Sequence, residues 1–159
     1  MPIRMQVTET MKGLHHFVDP ALGDATDRPL WFRIHWSGTP GRVLNPLSGG
    51  FMTYDAAGEI LVAGLTDGPA PCLGTFSIDY IRKRKITYDL TFDAGDHAYR
   101  YVGEKTDVNL LRPLQLIKTH TTCYGTVTRD DGVVVSRSVI HFDPGDLLSL
   151  VTSFKLGAD

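Results

Sequence analysis

The chain has 159 residues, which suits one domain with its own hydrophobic core, and we predict a single domain over residues 1–159. Lys and Arg number 16 and Asp and Glu number 18, so the net charge of −2 lacks the basic excess that nucleic-acid binding requires. We find no apolar run of signal-peptide or membrane-span length, and we therefore expect a cytoplasmic protein. Its two cysteines, Cys72 and Cys123, form no CxxC pair, so we expect no zinc site and two reduced thiols, with Cys123 as a buried structural residue. Their spacing leaves a disulfide between them open.

The N-terminal half of the chain reads as short strands separated by turns. Apolar and polar residues alternate in these segments, which is the pattern of a strand with one buried and one solvated face. On the second strand, Phe32, Ile34 and Trp36 share one face. The predicted order is a strand over 3–9, a loop over 13–29, strands over 30–37 and 51–55, a turn at Ala57-Gly58, a strand over 59–66, a break over 67–71 and a strand over 72–79.

The clearest alternation lies between Ile86 and Phe92, where Tyr88 and Leu90 fall on the same face as the two ends. Turn residues follow and then further strands, so this half of the chain predicts consecutive antiparallel hairpins. The predicted order is a strand over 86–93, a turn over 93–96, a strand over 97–104, an irregular connection over 105–118, a strand over 119–128, a tight turn over 130–132 and a strand over 133–142.

A capped amphipathic helix is predicted at the C-terminus. Asp143 suits the N-cap, Pro144 suits the first helical position, and Gly157 suits the end. The apolar stripe of this helix consists of Leu147, Leu150, Val151 and Phe154. Together the elements predict an all-β fold: an antiparallel lipocalin- or calycin-like barrel of about eight to ten strands with this helix at its end.

Three stretches in order carry a family resemblance: TETMKG at 8–13, the Y-x-L-x-F and Y-x-x-x-G-x-K pattern within 86–105, and the segment at 149–154. The chain resembles the lipocalin-like domain attached to bacterial glucose–methanol–choline-type oxidoreductases of the cholesterol-oxidase-like kind. The resemblance implies a barrel that holds or presents an apolar, lipid- or sterol-like molecule. It also implies a partner, either an oxidoreductase or a second copy. The flavin of such proteins belongs to a separate domain and this chain has no GxGxxG motif, so no cofactor is expected.

Glu9 lies in the apolar register of the first strand, and a buried carboxylate needs a cation or a raised pKa. Arg137 is the candidate partner, but the run Val133-Val134-Val135 leaves its orientation open. If Arg137 faces inward, it is a buried guanidinium near Glu9. If it faces outward, Ser136, Ser138, Ile140 and Phe142 face the interior instead.

The sequence favours ligand binding over any identified reaction. We predict a ligand site formed by Glu9, Trp36, Tyr88, Lys105 and Arg137, with the polar end of an apolar molecule near the charged groups. No catalytic residue is assigned. The six histidines show no HxH or HxxxH spacing, so no metal site is assigned either. Two alternatives stay open: an isomerase or cyclase that uses Glu9 with Arg137 or His35, and an interaction module of an oxidoreductase.

Overall fold

The computed structural model describes residues 3–47, 52–79, 84–106, 122–142 and 155–158. Within these ranges the chain forms nine strands and one helical turn. In chain order they are β1 (Ile3–Phe17), β2 (Arg28–Gly38), α1 (Pro40–Val43), β3 (Thr53–Val62), β4 (Ala70–Asp79), β5 (Lys85–Ala94), β6 (His97–Lys105), β7 (Thr122–Arg129), β8 (Val134–Phe142) and β9 (Lys155–Ala158).

Strand β1 closes the sheet into a barrel. Strands β2 to β8 pair in sequence order, and β1 pairs with both β8 and β2. Residues 5–15 of β1 pair with β2 along one edge, whereas the other edge pairs with β8 over residues 11–17 and with β9 over residues 3–6. The molecule is therefore a closed antiparallel barrel of eight strands, and β9 pairs with the first residues of β1. This confirms the predicted all-β barrel, and closure removes the exposed edges of a long sheet.

The barrel interior holds the core. On β5, Ile86, Tyr88, Leu90 and Phe92 are buried and the alternate residues are more exposed, as the alternation predicts. The centre of the core is aromatic, with neighbouring ring centroids 4.7 to 5.9 Å apart, in the range of favourable ring contacts. This aromatic cluster consists of Phe32, Trp36, Tyr54, Phe76, Tyr88 and Tyr101.

Two predicted breaks are wrong. Residues 13–17, predicted as the start of a loop, continue β1, because the inward alternation runs on to His15 and Phe17. The predicted turn at Ala57-Gly58 lies within β3. A Cβ at Gly58 would collide with the carbonyl oxygen of Arg33 on β2, so this glycine permits close approach of two strands rather than a turn.

The C-terminal helix is not seen. Residues 143–154, where most of it was predicted, lie outside the described residues, as does most of the connection predicted over 105–118. Residues 155–158, at the predicted end of the helix, form β9 and pair with β1. No helix in the described part of the chain has the length and apolar character needed to cross a membrane.

Candidate functional site

A buried carboxylate with two donors lies inside the barrel. Glu9 is 7% exposed, and its Oε1 accepts a hydrogen bond from the Tyr88 hydroxyl at 2.7 Å. The same oxygen lies 3.3 Å from the Lys105 Nζ, which donates to it and forms an ion pair with it. The Lys105 ammonium also lies 5.2 Å from the centre of the Tyr88 ring, a cation–π distance. We call Glu9, Tyr88 and Lys105 the polar cluster.

The closed topology creates this cluster. Tyr88 on β5 and Lys105 on β6 are near neighbours, since their strands pair with Ile86 opposite Lys105. Glu9 on β1 comes from the opposite side of the barrel, four strands from β5 in either direction. The three side chains therefore meet across the interior, a contact that an open sheet of the same strands would not make.

Burial of the two charges of the polar cluster costs free energy. Both charged side chains are at most 7% exposed, and removing two charges from water costs several kcal/mol per ion before their attraction offsets it. The pKa of Tyr88 is raised well above its ordinary value, first by burial and then by the nearby charge of Glu9. Tyr88 is therefore a neutral hydrogen-bond donor, and Glu9 is the acceptor for both neighbours.

Two donors near the cluster have hydrogen-bonding capacity left over. An ammonium has three N–H donors, and among the described residues Lys105 donates only to Glu9. The indole Nε1 of Trp36 is buried and has no hydrogen-bond partner in the described part of the chain. Trp36 stacks on Phe76 at 4.7 Å, and Phe76 contacts Tyr88 at 5.1 Å. Buried donors are normally paired, so these groups are available to an acceptor on a ligand.

The polar cluster lies toward one end of the barrel. Lys105 is the last residue of β6, and Trp36 lies near the end of β2. The strand ends on this side are joined by residues 39–52, 80–84, 106–121 and 143–154. On the other side they are joined by residues 18–27, 63–69, 95–96 and 130–133. The cluster is thus nearer the end of the barrel at which β2, β4, β6 and β8 end.

Arg137 is not the partner of Glu9. It is exposed on the outer face of β8, whereas Ser136, Ser138 and Ile140 face the interior. The register between β7 and β8 shifts after Val127, and Val135 and Ser136 are both buried. This β-bulge changes which residues of β8 face inward, which is why the valine run could not settle the orientation. The structure brings Glu9, Tyr88 and Lys105 into contact, connects Trp36 through Phe76, and leaves Arg137 outside.

His15 is a buried polar residue that the sequence reading missed. It is 1% exposed, its Nε2–H donates to the Ala63 carbonyl at 2.9 Å, and its Nδ1 accepts from the Ser136 hydroxyl at 2.8 Å. The continued alternation of β1 beyond Met11 was the signal that could have placed it inside. His35, by contrast, is exposed on β2 beside Thr8, away from the polar cluster.

Both cysteines are free and buried. Burial raises the pKa of the Cys72 thiol to about 11, and it does the same to Cys123, whose Sγ lies 3.6 Å from the Tyr101 hydroxyl. Such thiols are poor nucleophiles, which favours a structural role for both cysteines. Among the described residues no three His, Cys, Asp or Glu side chains are grouped to hold a metal ion.

Comparison of the chain with family models, with characterised proteins and with solved structures finds no significant match. The barrel itself is established by its strand pairing. The resemblance to the lipocalin-like domain of oxidoreductases remains a prediction from the sequence.

Proposed function

We propose that this protein binds a small, mainly apolar molecule, lipid- or sterol-like, with one polar end next to Glu9, Tyr88 and Lys105. The observation that carries the proposal is the buried polar cluster within an aromatic interior. Ligand sites commonly combine apolar walls with a few convergent polar groups. The lipocalin-like resemblance points to the same kind of ligand.

Stability alone is a weak reason to keep this cluster. A buried ion pair can often be replaced by apolar side chains of similar volume without loss of stability. The cluster also leaves donors on Lys105 and Trp36 without partners among the described residues. A ligand that supplies an acceptor would satisfy those donors and offset the cost of burying them.

The unpaired groups define the chemistry of the polar end. Both Lys105 and Trp36 offer N–H donors, so the ligand group must be an acceptor. The Glu9 carboxylate beside them disfavours a second negative charge. A neutral hydroxyl or carbonyl group, as on a sterol or a fatty alcohol, fits these constraints better than a free carboxylate.

The two tryptophans provide a direct test. Trp36 belongs to the aromatic cluster, whereas Trp31 lies on the opposite face of β2. We expect a saturable change in tryptophan fluorescence with sterols or fatty alcohols, retained in Trp31→Phe and lost in Trp36→Phe. The matched hydrocarbon without the polar group should bind about tenfold more weakly, the loss of roughly one hydrogen bond. No response across the panel, or a response lost only in Trp31→Phe, would overturn the proposal.

A second candidate, an isomerase or cyclase acting on the same ligand, is favoured by one observation. The Tyr88 hydroxyl and the Lys105 ammonium both donate to Glu9 Oε1, which places a proton acceptor beside two donors. If the bound ligand gains deuterium from heavy water in the wild type and not in Glu9→Gln, the protein is an enzyme. Absence of exchange leaves binding alone.

Docking on a separate oxidoreductase is the third candidate. It rests on the resemblance of 8–13, 86–105 and 149–154 to attached domains. Co-purification with a flavoprotein would support docking, and its absence together with sterol binding would favour the free-standing binding protein.

A further inference from the structure

A concave site lies on the outer face of β1, β7 and β8, on the opposite side of the sheet from the polar cluster. This outer groove has a volume of about 570 Å³. Its lining includes Leu14, His16, Asp27, Tyr124, Arg137 and Val139. None of these residues belongs to the polar cluster or to the aromatic cluster.

The middle of the outer groove is an exposed apolar row. Leu14 on β1 pairs with Val139 on β8, and Val139 pairs with Tyr124 on β7. Their exposed fractions are 49%, 41% and 60%. Scattered exposed apolar residues are normal, but three in one row across adjacent strands form a continuous strip. Because neighbouring strands lie about 4.8 Å apart, the strip is about 10 Å long.

Basic side chains flank this strip on both sides. On one side His16 pairs with Arg137, and on the other Lys12 pairs with His141. Among the described residues, neither Arg137 nor Lys12 forms an ion pair with an acidic side chain. Among the described residues that line the groove, Asp27 is the one acidic side chain. The site therefore combines an apolar floor with a guanidinium that is free to bind a planar anion.

We propose that the outer groove binds a small anionic amphiphile of the medium-chain carboxylate class. The carboxylate accepts the paired N–H donors of Arg137, and the aliphatic chain covers Leu14, Val139 and Tyr124. Arg is suited to this role because its planar fork matches a carboxylate in a bidentate geometry. Arg137 lies on β8, beside the middle of the 10 Å strip, so a chain of about eight to ten carbons that starts there is long enough to reach either end of the strip. This site is independent of the proposed interior ligand, which carries a neutral polar end.

Decanoate below its micelle concentration is the probe, with decanol and decyltrimethylammonium as neutral and cationic comparisons. Amide chemical shifts should change saturably with decanoate at residues of β1, β7 and β8 around the groove. Arg137→Gln should weaken decanoate binding about three- to fivefold, the scale of an exposed ion pair, and should affect decanol much less. The matched control Arg33→Gln removes an exposed arginine from the outer face of β2 and should leave the affinity unchanged. Tyr124→Thr, which keeps strand propensity, should weaken all three probes.

Three results would overturn the proposal. Equal affinities for the wild type, Arg137→Gln and Arg33→Gln would exclude recognition of the carboxylate by Arg137. Shift changes confined to residues around Glu9 and Lys105 would assign decanoate to the interior. Self-association that Tyr124→Thr abolishes, without saturable decanoate binding, would assign the groove to a second copy of the chain.

Discussion

The hydroxyl of Tyr88 on β5 donates to the carboxylate of Glu9 on β1 at 2.7 Å, across the full width of the barrel. Tyr88 is completely buried and Glu9 nearly so, so this hydrogen bond joins two opposite walls in an environment that excludes water. Hydrogen bonds to a charged acceptor are among the stronger ones in proteins. The contact therefore contributes both to the stability of the barrel and to the orientation of the Glu9 carboxylate.

Replacing Tyr88 with Phe tests this contact. The change removes the hydroxyl and leaves Glu9 with Lys105 as its donor, so we expect a loss of about 1.5–3 kcal/mol in the free energy of unfolding. Urea denaturation followed by circular dichroism measures it. Tyr124→Phe removes a hydroxyl that is exposed on β7 and should change stability by less than about 0.5 kcal/mol. Equal effects of the two substitutions would contradict the role of the Tyr88 hydroxyl.

Removal of the Lys105 ammonium should lower the free energy of unfolding more than removal of the Tyr88 hydroxyl does. Lys105→Met keeps the volume of the stem but leaves the Glu9 charge buried without a cation, and we expect a loss of about 3–5 kcal/mol. The double variant Glu9→Gln/Lys105→Met should recover much of that loss, because no unpaired charge remains.

Lys85 offers a matched control for Lys105. Its ion pair with Glu104 at 2.9 Å is partly exposed, with side chains 27% and 39% accessible. Such pairs contribute little, so Lys85→Met should cost less than about 1 kcal/mol. Thermal and urea denaturation of the wild type, Glu9→Gln, Lys105→Met, the double variant and Lys85→Met give the comparison. Additive effects of Glu9→Gln and Lys105→Met would show that the two residues are not coupled.

Tyr101 occupies the space left by two glycines. Gly103 and Gly125 face each other on β6 and β7, and a Cβ on either would collide with the Tyr101 phenol. Gly125→Ala should therefore destabilise the barrel by about 1–3 kcal/mol through overpacking. Gly68→Ala, where the added methyl meets open space, is the control.

The nearest atom to the added methyl is the Tyr101 hydroxyl oxygen, which suggests a rescue. In the Tyr101→Phe background, Gly125→Ala should cost less than in the wild type, because the hydroxyl is no longer in its way. An unchanged cost in denaturation measurements would mean that the edge of the Tyr101 ring and the Ser138 hydroxyl, which also lie against the added methyl, limit this position instead of the Tyr101 hydroxyl.

His15 makes the stability of the fold depend on pH. The pKa of His15 is lowered from 6.5, chiefly by burial, with the nearby Arg28 charge acting in the same direction and the hydrogen bond to Ala63 opposing it. The unfolded chain therefore binds the His15 proton at a higher pH than the folded chain does. Its contribution to stability is present above the unfolded pKa and is lost as the pH falls below about 6.5.

The expected outcome is a free energy of unfolding that declines between about pH 7.5 and about pH 5.5. His15→Gln can keep both hydrogen bonds without titrating, so its decline over the same interval should be smaller. His35→Gln removes an exposed histidine and should follow the wild type. A decline of the same size in all three proteins would assign the pH dependence to other groups.

The local pattern of apolar and polar residues was sufficient to predict most strands of the barrel and part of the site. The alternation from Ile86 to Phe92 predicted β5 correctly, and the register of Ile3 to Met11 placed Glu9 on the buried face. Both inferences need only the two-residue period of a strand. The hairpin turns at 93–96 and 130–132 also follow from local residue preferences.

The contacts of the site depend on information that no local pattern contains. Lys105 is the partner of Glu9 because β6, the neighbour of β5, lies across the barrel interior from β1, and closure fixes the relative heights of these strands. The outward position of Arg137 depends on the bulge between β7 and β8. Gly58 suggested a turn because glycine is common in turns. In the structure it lies within β3, and its missing Cβ allows the Arg33 carbonyl of β2 to come close.

One edge of β1 pairs with both β8 and β9, and this arrangement has a consequence for the order of folding. Its partners on that edge are separated from it by more than a hundred positions, as the His15–Ser136 hydrogen bond shows with its spacing of 121. During synthesis, β1 and β2 can pair early, but the other edge of β1 stays uncovered until residues 134–142 emerge from the ribosome. Closure therefore depends on contacts between distant parts of the chain, and such contacts slow folding. Until then β1 presents an open edge, and we expect aggregation to compete with folding at this edge.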